Sequence, residues 1–201
     1  MLKKSQIEII NLFRKNIFLE RTIREISLIL KKDYPNVHQA IKELSKQKII
    51  QLRKAGNSQL CTINLSNPLT ITTLSFLEEQ ESFSKKIPNI EKILEFKEFL
   101  EDITIITGSY ANGKQTPKSD LDLVIITQNK VFDKQKLIEN LTALMLPKIH
   151  PIAVSNKDFV GMLLDKKENY GKEISKNHLV FRNSSRYYQL IKSAIENGFR
   201  G

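Results

Sequence analysis

A single cysteine, Cys61, leaves no internal disulfide to form, and no Cys/His cluster shows the spacing of a zinc site. No apolar run approaches the length of a membrane span, so a soluble chain with no membrane partner is expected. The start, Met1-Leu2-Lys3-Lys4, runs into an amphipathic segment and lacks the apolar core and small-residue cleavage site of a secretory signal. These absences together point to the cytoplasm. The last two thirds of the chain have little net charge. Residues 65–201 carry 19 Lys/Arg against 17 Asp/Glu, a net of +2, whereas residues 1–64 carry 13 against 5, a net of +8. The overall charge of +10 therefore sits mostly in the first third, which is the part expected to meet a polyanion.

That first third has a rhythm of three helices followed by a hairpin. Ile9, Leu12 and Phe13 share one helical face, and Ile23, Ile26 and Leu30 share another. Thr22 with Glu25 three residues later forms a capping box for the second helix. Pro35 sits in the first turn of a third helix, whose buried stripe is Val37, Ala40, Ile41 and Leu44. Its other face carries Asn36, His38, Gln39, Lys42 and Lys46. Two strands, 49–53 and 59–63, join through Lys54-Ala55-Gly56-Asn57-Ser58, where Gly56 and Asn57 tolerate the positive φ of a tight turn.

This layout resembles the winged helix-turn-helix domains of small bacterial and archaeal regulators, such as the MarR-like group. The resemblance implies an α+β domain over residues 1–64 that binds double-stranded DNA. In it the third helix enters the major groove and the hairpin wing touches the backbone. Asn36, His38, Gln39, Lys42, Lys46, Arg53 and Lys54 would then be the nucleic-acid-binding residues. A protein-interaction role is the other use of such a domain.

Residues 65–88 lack the Gly/Ser-rich composition of a flexible tether and read as a helical connector. Leu69, Thr72, Phe76 and Phe83 recur at helical spacing, and the face they mark needs a partner, either the neighbouring domain or a second copy in a homodimer. From residue 89 strand-like and helix-like runs alternate to residue 201, the pattern of an α/β domain. Two β-branched runs, 103–106 and 121–127, bracket a loop containing Gly113 and Pro117. Side chains alternate along the second strand, so Asp120 and Asp122 point the same way, opposite to Leu121, Leu123 and Ile125. Two neighbouring carboxylates repel unless a cation joins them, and hard oxygens suit Mg²⁺ or Mn²⁺ together with substrate phosphates. Gly108 lets backbone approach a ligand closely, and Ser109 adds N–H and hydroxyl donors for phosphate oxygens.

Gly108-Ser109, ten intervening residues, then Asp120-x-Asp122 resembles the signature of the DNA polymerase beta-like nucleotidyltransferases, in particular the minimal nucleotidyltransferases of bacteria and archaea. The run Thr116-Pro117-Lys118-Ser119-Asp120-Leu121-Asp122-Leu123 is similar to theirs as well. The resemblance implies a nucleotidyltransferase fold with a mixed sheet over residues 89–201. It further implies a nucleoside triphosphate substrate, a metal at Asp120 and Asp122, and nucleotide contacts from Gly108, Ser109, Lys118 and Ser119. Such enzymes move a nucleoside monophosphate to an acceptor hydroxyl and release pyrophosphate. Members usually add a third carboxylate from a later strand. The strand at 149–154 contains His150 and no Asp or Glu, so His150 is the candidate base in its place. Alternation groups His150 with Ile152 and Val154, the pattern of a side chain turned toward a core. Two functions follow. One is a DNA-tethered nucleotidyltransferase. The other is a DNA-binding transcriptional regulator whose weakened catalytic domain only senses a nucleotide.

Overall fold

The structure is a computed structural model that describes residues 2–56 and 58–201; Asn57, expected in the hairpin turn, lies outside the described residues. The chain divides into two compact units, the first ending at Leu77 and the second running from Glu78 to Gly201.

In the first unit, α1 (Lys4–Lys15) is followed by β1 (Arg21–Thr22), α2 (Ile23–Leu30), α3 (Tyr34–Lys46), β2 (Ile50–Ala55) and β3 (Ser58–Ile63). The Thr22 hydroxyl accepts from the Glu25 N–H (3.2 Å) and the Glu25 carboxylate accepts from the Thr22 N–H (2.8 Å). This reciprocal cap starts α2 and is worth about 1 kcal/mol. Ile9, Ile10 and Phe13 of α1, Ile26 of α2 and Val37, Ile41 and Leu44 of α3 are wholly buried. The three strands form an antiparallel sheet in the order β1-β3-β2, an arrangement in which β1 had no sequence signal. The hairpin is tighter than its sequence suggested. Lys54 and Ala55 belong to β2, with Lys54 opposite Gln59, and Gly56 turns at φ +58.

Helix α4 (Pro68–Ser84) gives its N-terminal part to the first unit and its C-terminal part to the second. The face that the sequence marked as needing a partner is open in the single chain, and a second face is buried. Leu69, Phe76 and Phe83 are exposed, while Thr70, Ile71, Leu74, Leu77, Glu78 and Ser82 are buried. The buried set recurs every three to four residues just as the apolar set does. It was hidden because half of it is polar. Within the second unit, the buried Glu78 carboxylate accepts from the Tyr188 hydroxyl (3.1 Å) and Glu79 accepts from Ser184 (2.6 Å).

The second unit continues through α5 (Ile90–Glu95), β4 (Ile103–Thr107), α6 (Gly108–Ala111), β5 (Leu121–Thr127), α7 (Val131–Thr142), β6 (Ile149–Ser155), α8 (Asn156–Leu164), α9 (Tyr170–Lys176), β7 (Leu179–Arg182) and α10 (Ser184–Glu196). The four strands form a mixed sheet in the order β6-β5-β4-β7, parallel only between β5 and β6. Ile106, Leu121, Leu123, Ile125, Leu179 and Phe181 meet Ile93, Phe99 and Ile138 on one face. The other face is covered by α8 and α10, where Phe159, Tyr187, Tyr188 and Ile191 are buried. Burial on both sides explains why β4 and most of β5 are apolar without alternation. The edge strand β6 is closed by Gln135 of α7. Its amide donates to Pro151 O (2.9 Å), and its oxygen accepts from the Ala153 N–H (2.6 Å).

Candidate active site

The functional groups gather where β4 ends and β5 and β6 begin. Gly108 follows β4 at φ +67, a backbone state open chiefly to glycine. The antiparallel register sets Thr107 opposite Asp122, so the carboxylate lies beside the turn. A Cβ built on Gly108 would stand 2.1 Å from Asp122 Oδ2. Backbone and carboxylate are therefore in direct apposition, and only glycine permits it.

The parallel register sets Asp122 opposite His150 and continues Val124 to Ile152 and Ile126 to Val154. The Leu121 N–H also donates to Lys148 O (2.8 Å), which holds Asp120 near the start of β6. His150 Nε2 lies 3.2 Å from Asp120 Oδ2, and Nδ1 lies 3.9 Å from Asp122 Oδ1. The imidazole thus sits between the two carboxylates, correcting the expectation that it turns toward a core. Because β6 is the edge strand, its Ile149 and Ala153 face is buried, while the His150 and Ile152 face is open.

Burial is the first cause that raises the Asp122 carboxyl above the ordinary carboxylate range; the charges of Asp120 and Glu173 push it further and His150 opposes them. The Tyr170 hydroxyl is raised to about 12 by burial, then by Asp122 and Glu173. Helix α9 therefore brings a tyrosine and a third carboxylate into the field of the site. Sequence reasoning passed over both residues. The signal available was an Asn169 cap before a short helix: the Asn169 side chain accepts from the Lys172 N–H at 3.2 Å.

Among the described residues no group of three His, Cys, Asp or Glu side chains forms an all-protein metal cage. The donor set instead fits a hard divalent cation that takes two carboxylates and completes its shell with phosphate and water oxygens. In the loop, Ser119 Oγ accepts from the Thr116 N–H (2.9 Å) and lies 3.2 Å from Thr116 Oγ1, so it staples the loop internally. Lys118 is exposed, and Ser109 is half-buried beside Gly108.

The residues expected to meet nucleic acid divide among four places. His38 and Lys54 line one groove of about 1070 Å³ with Arg24, Tyr34, Ser58 and Gln59, and His38 stacks on Tyr34 at 5.7 Å. Asn36 and Gln39 line a second groove near Lys3 and Lys31, where Gln39 donates to Glu43 (3.0 Å). Lys42 and Lys46 are exposed along α3. Arg53 lies apart from the His38–Lys54 groove and is ion-paired to Glu20 (3.0 Å). Consecutive strand residues face opposite ways, which is why Arg53 and Lys54 separate. Among the described residues no helix is long and apolar enough to cross a membrane.

Residues 87–182, which contain β4 through β7 and the whole Gly108–Asp122 stretch, match the family model of the nucleotidyltransferase domain. The match supports nucleotidyltransferase activity in general terms, with a nucleoside triphosphate as substrate. No curated protein and no solved structure matches the chain.

Proposed function

We propose that the nucleotidyltransferase domain transfers a nucleoside monophosphate from a metal-bound triphosphate to an acceptor hydroxyl, and that the N-terminal unit is a winged helix-turn-helix that carries it to double-stranded DNA. The apposition of Gly108 and Asp122, with Asp120 and His150 alongside, supports the catalytic part. Asp120 and Asp122 would hold Mg²⁺ or Mn²⁺, which when bound compensates the charge of the triphosphate and of the leaving pyrophosphate. The Gly108 backbone and Ser109 hold the outer phosphates. His150 takes the proton of the acceptor hydroxyl as its oxygen forms a bond to the α-phosphorus, and the bond to the β-phosphate oxygen breaks. In this reading the DNA-binding domain ends near Asn64, and residues 65–88 connect it to the catalytic domain.

A second reading is favoured by the His150 contacts. His150 Nε2, 3.2 Å from Asp120 Oδ2, gives that carboxylate a partner within the protein, as suits a regulator that senses a nucleotide and does not turn it over. Triphosphates labelled at the α- or the γ-phosphorus separate the two readings. Transfer of the α-label with release of the γ-label in pyrophosphate supports the enzyme. Saturable binding of both labels without release supports the sensor.

Two predictions follow from the named residues. If His150 is the base, His150→Ala lowers turnover about a hundredfold while nucleotide affinity stays nearly constant. Unchanged turnover in His150→Ala contradicts that role. For DNA, the affinity of the full chain for a duplex, followed by fluorescence anisotropy, falls steeply with salt. Lys42→Ala or Lys54→Ala each reduces the salt slope by about one. Arg53→Ala has a smaller effect, because Glu20 already occupies the guanidinium. Absence of binding at low salt removes DNA from the account.

A further inference from the structure

Asn177 ends α9, and two residues later β7 pairs with β4 through Leu179 and Ile106. That pairing carries Asn177 to the end of β4, where it makes two bonds to consecutive residues of the site. Its side-chain amide donates to Gly108 O at 2.9 Å, and its backbone carbonyl accepts from the Thr107 hydroxyl at 2.7 Å. Its own N–H donates to Glu173 O at 2.9 Å, so the clamp is anchored in α9.

Beyond the Asn177 bonds, the segment is held by the Lys114 N–H donating to Ser109 O at 2.9 Å and by Tyr110 and Ala111 packing on the core, neither of which fixes the Gly108 peptide itself. Helix α6 has four residues, too few to sustain a helix alone, and the bond from the Asn112 N–H to Gly108 O is 3.3 Å long. Gly108 has no side chain to restrict its peptide plane, yet that plane must stay against Asp122 Oδ2. We propose that Asn177 is a positioning residue: by holding Gly108 O and Thr107 it fixes the Gly108–Ser109 backbone against Asp122 and sets the distance between the phosphate-holding turn and the carboxylates. The effect on nucleotide binding rests on the nucleotidyltransferase reading; the effect on backbone order does not.

Three variants of the full chain test it. Asn177→Ala deletes the donor. Asn177→Asp keeps the shape and turns a second acceptor toward Gly108 O, so it acts more strongly than alanine, an order that mere loss of packing does not produce. Thr107→Val deletes the other bond, and Thr107→Ser restores it. Hydrogen exchange without nucleotide reads the clamp directly: amides of residues 109–112 exchange about tenfold faster in Asn177→Ala, and faster still in Asn177→Asp. Unchanged exchange at these amides overturns the proposal. Titration with Mg²⁺ and ATP then gives about tenfold weaker affinity in Asn177→Ala and a larger loss in Asn177→Asp, with wild-type-like affinity in Thr107→Ser. Affinity that stays at the wild-type level in folded Asn177→Asp also overturns it. If the wild-type chain itself binds no triphosphate, the nucleotidyltransferase reading fails, and the exchange rates alone decide the clamp.

Discussion

Replacing Asp120 and Asp122 together by asparagine abolishes metal-dependent triphosphate binding while the protein stays folded and becomes more resistant to heat near neutral pH. The loss follows from charge: in the proposed site the two carboxylates would be the hard ligands, and amides cannot neutralise a divalent cation. Calorimetry with Mg²⁺ and a triphosphate reads a drop of at least about a hundredfold. The gain in stability follows from the direction in which Asp122 is shifted. Its folded pKa lies above the unfolded one, raised first by burial and then by Asp120 and Glu173. A carboxyl shifted this way favours the folded state while protonated. That contribution is complete below the ordinary carboxylate value and is lost as pH rises through the raised one. Wild type therefore falls behind the double variant above about pH 4, and the gap persists to neutrality. The Asp120–His150 contact is lost in the exchange, but both groups are partly exposed and such pairs contribute little. Unchanged nucleotide affinity in the double variant removes the metal site from the account.

Gly108→Ala has an effect of similar size through geometry alone. The new methyl meets Asp122 Oδ2 at 2.1 Å, and the residue must hold φ +67, which costs an L-residue roughly 1–2 kcal/mol. Either the carboxylate rotates away or the turn retreats from it. A misplacement near 1 Å in such a site costs about a hundredfold in rate. Gly113→Ala is the control: it shares a positive φ of +70, but no atom lies within 4 Å of its added methyl. It pays the backbone strain and keeps nucleotide binding. Melting curves read the shared strain, and nucleotide titration separates the two variants. Equal affinities in the two would show that the turn and the carboxylate do not act together.

What the sequence made legible was what lies close along the chain. The strand, turn and strand from Ile103 to Thr127 carry their own periodicity, and Gly108, Ser109, Asp120 and Asp122 fall within fifteen residues. Alternation placed both aspartates on one side, opposite Leu121, Leu123 and Ile125, which join one core cluster. The Thr22–Glu25 cap was readable for the same reason. The rest depended on strand order. Whether His150 faced a core or the site turned on β6 being an edge strand beside β5, which alternation cannot encode. Asn177 reaches the site because β7 pairs with β4, and Tyr170 and Glu173 come into its field on α9, which packs on α8. Helix α4 was legible on one face only, because a buried face built partly from Thr, Ser and Glu gives no hydrophobic signal, while its exposed face carries two phenylalanines.

The central claim is that Asp120 and Asp122 would hold one divalent cation together with a triphosphate, with Gly108 and His150 beside them. Titrating the isotopically labelled full chain with Mn²⁺ in the presence of ATP tests it most directly, because the ion broadens the signals of nuclei nearest to it. The account predicts that the amides of residues 108–110, 120–122 and 150 broaden first, that they do so only with nucleotide present at low metal, and that the Asp120→Asn, Asp122→Asn protein shows none of this. Broadening that begins elsewhere, or that persists unchanged in the double variant, would contradict it.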